Sequence, residues 1–178
     1  SPLLASTLVA QTAGWGGDIG LLGDGTTNFL AGTGSFGVGH LAYVAGFRRV
    51  RRRDHGSSAL GPLAESVASR AVLGSGLVMG PTLGLAASRK DRRLGVPVTA
   101  YAGLLSTMAA HSANLSPAQP RLARAFTTAG ALTFLASDAT LGIRKFVMKS
   151  PPPWMERTVM ATYTSAQLML AEGAVRAR

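Results

Sequence analysis

Two aspartates, Asp18 and Asp138, stand inside otherwise apolar stretches of this sequence. Each follows a small residue and precedes a leucine by three positions, in Gly17-Asp18-Ile19-Gly20-Leu21 and Ser137-Asp138-Ala139-Thr140-Leu141. A carboxylate in such surroundings is costly enough that it generally marks a function. Two of them in one low-dielectric site do not both ionise near neutrality, so one keeps its proton while the other is charged. A proton donor beside a proton acceptor is what acid–base hydrolysis requires, and a proton relay uses the same pair. Asp18 and Asp138 are therefore the catalytic candidates.

Other polar residues recur at helical spacing. His40 and Tyr43 are three positions apart, Tyr163 and Gln167 are four, and Tyr101 falls at a similar depth in its own run. These five are the substrate-binding candidates, although a tyrosine or histidine in an apolar helix often only satisfies an interhelical hydrogen bond. Nucleophilic catalysis has less to build on: there is no GxSxG, and Ser35 or Ser165 with His40 is all that the sequence offers. His40, His55 and His111 have no HExxH or paired spacing, so no metal site is expected. Neither a Walker A motif nor GxGxxG occurs, and no cofactor is expected. With zero cysteines, disulfides and thiol chemistry are excluded.

The elements that would hold these residues follow from the placement of charge. Residues 1–17, 25–47, 71–88 and 94–120 contain no Asp, Glu, Lys or Arg, while residues 125–143 and 158–175 are interrupted only by Asp138 and Glu172. About 20 helical residues cross ~30 Å of hydrocarbon. The expected fold is all-α: a polytopic transmembrane helix bundle, forming a single transmembrane helical domain over residues 1–178. Its six spans lie at about 2–22, 29–47, within 60–87, 94–115, 125–143 and 155–175. Buried helices of a soluble all-α protein would show a polar stripe, and these mostly do not. Mean hydropathy is only +0.23 because small residues, 22 glycines among them, fill the runs. Such residues let membrane helices pack closely.

The net charge of +10 is concentrated in the connections, chiefly residues 48–53, 89–93 and 144–149. In a membrane protein such basic loops face anionic headgroups, so membrane lipids are the expected partners and nucleic acid is not. The basic residues divide almost evenly between the two sides; the dense run 48–53 leans its side toward the cytoplasm. Spans one and five run in the same direction, and each aspartate sits four or five residues before the same boundary, ~6–8 Å inside it. The pair shares a layer.

Longer blocks carry a resemblance. Gly17-Asp18 closing a span is followed by Phe29 and then by Gly39-His40-Leu41-Ala42-Tyr43-Val44-Ala45-Gly46-Phe47. Pro97 to Tyr101, Gly130-Ala131-Leu132-Thr133-Phe134-Leu135-Ala136-Ser137-Asp138 and Ala161-Thr162-Tyr163-Thr164-Ser165-Ala166-Gln167-Leu168 complete the set. In order and spacing they resemble the YhhN family, the lysoplasmalogenases. The resemblance implies about eight membrane helices where six are read here, so two N-terminal helices are expected to be missing. It agrees with a start at Ser1 that reads as a truncated or processed end rather than a signal peptide.

The resemblance also implies an activity: hydrolysis of the vinyl ether of a lysoplasmalogen to a fatty aldehyde and glycerophosphocholine or glycerophosphoethanolamine, with Asp18 and Asp138 essential. The expected partner is then a lysophospholipid substrate, whose phosphate the basic loops 89–93 and 144–149 could hold. Two other readings use the same residues differently. A small proton-coupled carrier would use the pair as a relay and would favour broken helices near the bilayer midplane; a lipid-binding scaffold would perform no chemistry.

Overall fold

The computed structural model describes residues 1–55 and 66–178. Within them are six long α-helices: α1 (Leu4–Leu22), α2 (Thr26–His55), α3 (Val67–Lys90), α4 (Gly95–Ala113), α5 (Arg121–Gly142) and α6 (Pro153–Arg176). A 3₁₀ turn, Arg92–Leu94, leads into α4, and a π turn, Ile143–Val147, extends α5. The expected start of the third span, from residue 60, and Glu65 beside it lie outside the described residues.

The helix ends follow local chemistry. Ser66 caps α3 by accepting from the Ser69 N–H at 3.1 Å. Asp91 ends α3 and its carboxylate then caps the 3₁₀ turn, accepting from the Arg93 N–H at 2.9 Å. The Arg93 guanidinium, aided by the Thr26 hydroxyl, holds the Asp91 carboxyl well below the usual carboxylate range. Pro153 occupies the first turn of α6, where its missing N–H costs nothing. Gly25, at φ +95°, makes the turn between α1 and α2.

One expectation is corrected. Residues 48–53 do not form a loop, because α2 runs through the whole basic cluster to His55. Arginine is a good helix former, positive charge suits a helix C-terminus, and no glycine or proline intervenes. Likewise Arg89 and Lys90 belong to the last turn of α3, and Arg144 and Lys145 to the π turn.

Neighbouring helices pack as hairpins, α1 on α2, α3 on α4 and α5 on α6. Contacts continue from α2 to α4, from α4 to α5 and from α6 back to α1, while α3 lies against α4 and reaches the π turn. Glycine sets the closest approach: a Cβ on Gly20 would stand 2.8 Å from the Gly32 backbone. At one end of the bundle, polar bonds join the three hairpins. Thr26 donates to Asp91 at 2.7 Å, the Lys90 ammonium donates to the Lys145 carbonyl, and Arg144 pairs with Glu156 at 2.8 Å. At the other end Gln119 donates to Asp54 at 3.1 Å and to the Arg178 carbonyl at 2.9 Å.

Large apolar side chains also point outward on several helices, among them Leu77 (78% exposed), Val96 (80%) and Leu168 (64%). Among the described residues one helix, α3, is long and apolar enough by length and composition to cross a membrane, at a mean hydropathy of 1.4.

Candidate active site

A cavity of about 650 Å³ is lined from all six helices and the π turn. Asp18 enters it from α1 and Asp138 from α5, each half-buried. Their placement depends on the small residue that precedes each. Gly17 lies so close to the Phe36 ring that a Cβ there would meet it at 2.5 Å, and the Ser137 hydroxyl donates to the Val159 carbonyl of α6 at 3.1 Å. Both neighbours are buried against another helix, which turns the next side chain toward the cavity.

Each aspartate has a tyrosine. Tyr163, on α6, donates to Asp18 Oδ2 at 2.8 Å, and Tyr101, on α4, donates to Asp138 Oδ2. Both rings line the cavity. Behind each tyrosine stands a further polar group. Gln167 Nε2 donates to the Tyr163 oxygen at 3.2 Å, and His40 Nε2 lies 3.0 Å from the Tyr101 oxygen. His40 is 1% exposed. Phe134 sits between the two arrangements, edge-on to His40 at 4.9 Å and to Tyr163 at 5.5 Å.

Of the five binding candidates, then, Tyr101 and Tyr163 face the cavity directly. His40 and Gln167 do not line it but support the tyrosines that do. Tyr43 is buried one helical turn beyond His40, stacked on Phe47 at 5.9 Å, and is not among the lining residues. Ser35 donates to the Ala13 carbonyl at 2.6 Å, which commits it to helix packing rather than to His40. Among the described residues no three His, Asp or Glu side chains gather as a metal cluster.

The two tyrosine arrangements differ in what they permit. A glutamine amide nitrogen only donates. With Gln167 Nε2 turned toward it, the Tyr163 oxygen accepts from Gln167, its own proton goes to Asp18, and Asp18 accepts, while Gln167 Oε1 is buried without a hydrogen-bond partner among the described residues. A histidine nitrogen donates or accepts according to tautomer. The Asp138–Tyr101–His40 line can thus run either way. Tyr101 donates to an ionised Asp138 with His40 Nε2–H behind it, or a protonated Asp138 donates to Tyr101, whose proton then goes to a bare Nε2. His40 Nδ1 is buried without a hydrogen-bond partner among the described residues.

The walls divide by polarity. Met79, Leu83, Leu105, Leu132 and Leu135 supply apolar surface, and Arg144, Lys145 and Glu156 the charged end. Of the two basic segments expected near a phosphate, 144–149 therefore contributes Arg144 and Lys145, whereas nothing from 89–93 lines the cavity and Arg93 is engaged by Asp91 at 2.9 Å. Phe134 was not singled out from the sequence. Its position inside the block ending at Asp138, one turn before it, was the available signal.

Comparison with known proteins gives one family. The model of the YhhN family matches residues 2–174, nearly the whole chain. No solved structure matches it.

Proposed function

Because this chain belongs to the YhhN family, we propose that it is a membrane-embedded hydrolase. On this reading it cleaves the vinyl ether of lysoplasmalogens with Asp138 as acid and Asp18 as base. The observation that carries the reading is the pairing of two aspartates with two tyrosines on one largely apolar cavity with a charged end. A single-chain amphiphile has that distribution of polarity, and a reaction needing one carboxylic acid and one carboxylate has that pair.

The membrane setting is supported by α3 and by the outward leucines and valines. The other helices dilute their apolar runs with Gly, Ala, Ser and Thr, which lowers hydropathy without preventing insertion. The proposed placement is an integral, multi-pass protein of the cell membrane, with membrane lipids around it.

The chemistry proceeds in four proton transfers. Asp138 gives its proton to the alkenyl carbon β to the ether oxygen, the double bond becomes a single bond, and an oxocarbenium ion forms. Asp18 stabilises that cation and takes a proton from water as the water oxygen bonds to the cationic carbon, giving a hemiacetal. In the collapse Asp138 takes the hemiacetal hydroxyl proton while Asp18 returns its own to the departing glyceryl oxygen. Aldehyde and alcohol leave, and both carboxyls regain their starting states. The Gln167–Tyr163–Asp18 line, in which Asp18 accepts, suits the base, and the reversible His40–Tyr101–Asp138 line suits a group that must lose and regain a proton.

Carrier function is less favoured. The six helices are continuous, and the π turn lies at the end of α5 rather than midway along a helix.

The test is to hydrolyse an alkenyl lysophospholipid in D₂O and trap the aldehyde at once. Carbon protonation places one deuterium on the carbon beside the carbonyl. Aldehyde without that deuterium would rule out the proton transfer to carbon, and no aldehyde would remove the hydrolase reading.

A further inference from the structure

The charged end of the cavity has both signs, which the proposed hydrolysis does not use. We propose that Arg144, Lys145 and Glu156 form a subsite for a zwitterionic phospholipid headgroup, the two cations holding the phosphodiester and the carboxylate holding the ammonium. The proposal rests on the lysophospholipid reading of the cavity.

Position is the first argument. Arg144 follows Asp138 by six residues on α5 and its π extension, ~9 Å along the axis. In a lysoplasmalogen only the glycerol backbone separates the vinyl ether from the phosphate. A lipid with its ether at the aspartates therefore brings its phosphate within reach of long side chains on that turn. The apolar chain is left facing Leu132 and Leu135, on the opposite side of Asp138 along the same helix.

Availability is the second. Arg144 bonds to Glu156 at 2.8 Å, with the two side chains 30% and 66% exposed. A bridge that open to water is weak and exchangeable. A phosphodiester offers Arg144 two unbridged oxygens on one tetrahedral phosphorus, and its arrival releases Glu156 to face the ammonium that the headgroup itself brings. Lys145 is held ready beside it: its ammonium lies 4.9 Å from the centre of the Phe29 ring, which stands edge-on to Phe146 at 5.5 Å. Its carbonyl is fixed by the Lys90 ammonium, which anchors the turn.

Charge is the third. Two cations and one carboxylate suit a phosphate that carries its own ammonium. A headgroup with phosphate alone leaves Glu156 facing negative charge, and one with no charge leaves Arg144 paired with Glu156 and gains nothing from the subsite. Specificity of this kind comes as much from the mismatch as from the match.

The experiment measures binding to the purified full chain in detergent, using saturated 1-O-alkyl lipids, which have no vinyl ether to cleave. The ligands are alkyl-lysophosphatidylethanolamine, alkyl-lysophosphatidylcholine, alkylglycerol 3-phosphate and alkylglycerol. The unmodified protein should bind the two zwitterions about tenfold or more tighter than either other lipid. Glu156→Gln should erase the preference over the anionic lipid, and Arg144→Gln should weaken all three phospholipids about tenfold while leaving alkylglycerol unchanged. Lys145→Met should shift the same way as Arg144→Gln. Equal binding of all four lipids by the unmodified protein, or a zwitterion preference that survives Glu156→Gln, would overturn the subsite. Zwitterion-selective binding with no aldehyde from the alkenyl lipid would leave the subsite standing and remove the hydrolase.

Discussion

At the scale of single residues, the account turns on what each side chain can donate and accept. Asp18 faces a hydroxyl whose oxygen is already occupied by the Gln167 amide, and Asp138 faces one backed by an imidazole that works in either direction. His40 is not among the residues that line the cavity, so its effect must pass through Tyr101. Replacing it by phenylalanine leaves the Tyr101 proton with Asp138 as its only partner and disfavours the protonated acid. His40→Phe should lower the rate constant for aldehyde release about 10–100-fold, from the loss of one charge-linked hydrogen bond, with binding of a saturated alkyl lipid unchanged. Tyr163→Phe should cost a similar factor by leaving Asp18 without its donor. Steady-state kinetics beside lipid binding separates these outcomes from misfolding, which would lower both. These links were the least legible part of the sequence. The aspartates announced themselves as charges in apolar runs, and the shared direction of spans one and five put them in one layer. Nothing in a linear chain says that Tyr163 meets Asp18 from 145 positions away while Tyr101 meets Asp138 from 37.

At the scale of elements, packing is governed by close approach rather than by bulk. Gly20 meets the Gly32 backbone, so Gly20→Ala forces α1 and α2 apart, at ~1–3 kcal/mol by analogy with overpacked cores. Gly103 has open space where its Cβ would be, and Gly103→Ala should stabilise by up to about 1 kcal/mol through helix propensity. Thermal unfolding in detergent should move down for the first and up for the second. Reversed signs would contradict the packing described. The six helices were legible because each apolar run is bounded by charge or by a Pro- and Gly-rich turn. Charge was a poor guide to where a helix stops: the run from Arg48 to Arg53 reads as the end of a span, while the backbone hydrogen bonds of α2 continue through it. The π turn had no sequence signal, since Ile143-Arg144-Lys145-Phe146-Val147 suits an ordinary helical turn equally well.

At the scale of the whole molecule, a hydrolase for a membrane lipid should hold its cavity within the bilayer and its charged ends on opposite faces. The chain has no cysteine, so single substitutions report topology cleanly. In sealed vesicles Arg52→Cys and Arg92→Cys should react with a water-soluble maleimide from opposite sides, and Leu77→Cys and Leu168→Cys from neither. Labelling of both arginine positions from one side would contradict the proposed placement of the bundle across the membrane. The central claim, that the two aspartates carry the reaction together, is tested most directly by aldehyde release from a lysoplasmalogen. The measurement compares the unmodified chain with Asp18→Asn and Asp138→Asn, each checked for unchanged binding of the saturated alkyl analogue. The account predicts release by the unmodified chain and a fall of about 10²–10⁴-fold in each variant. Near-normal release from either variant would contradict it.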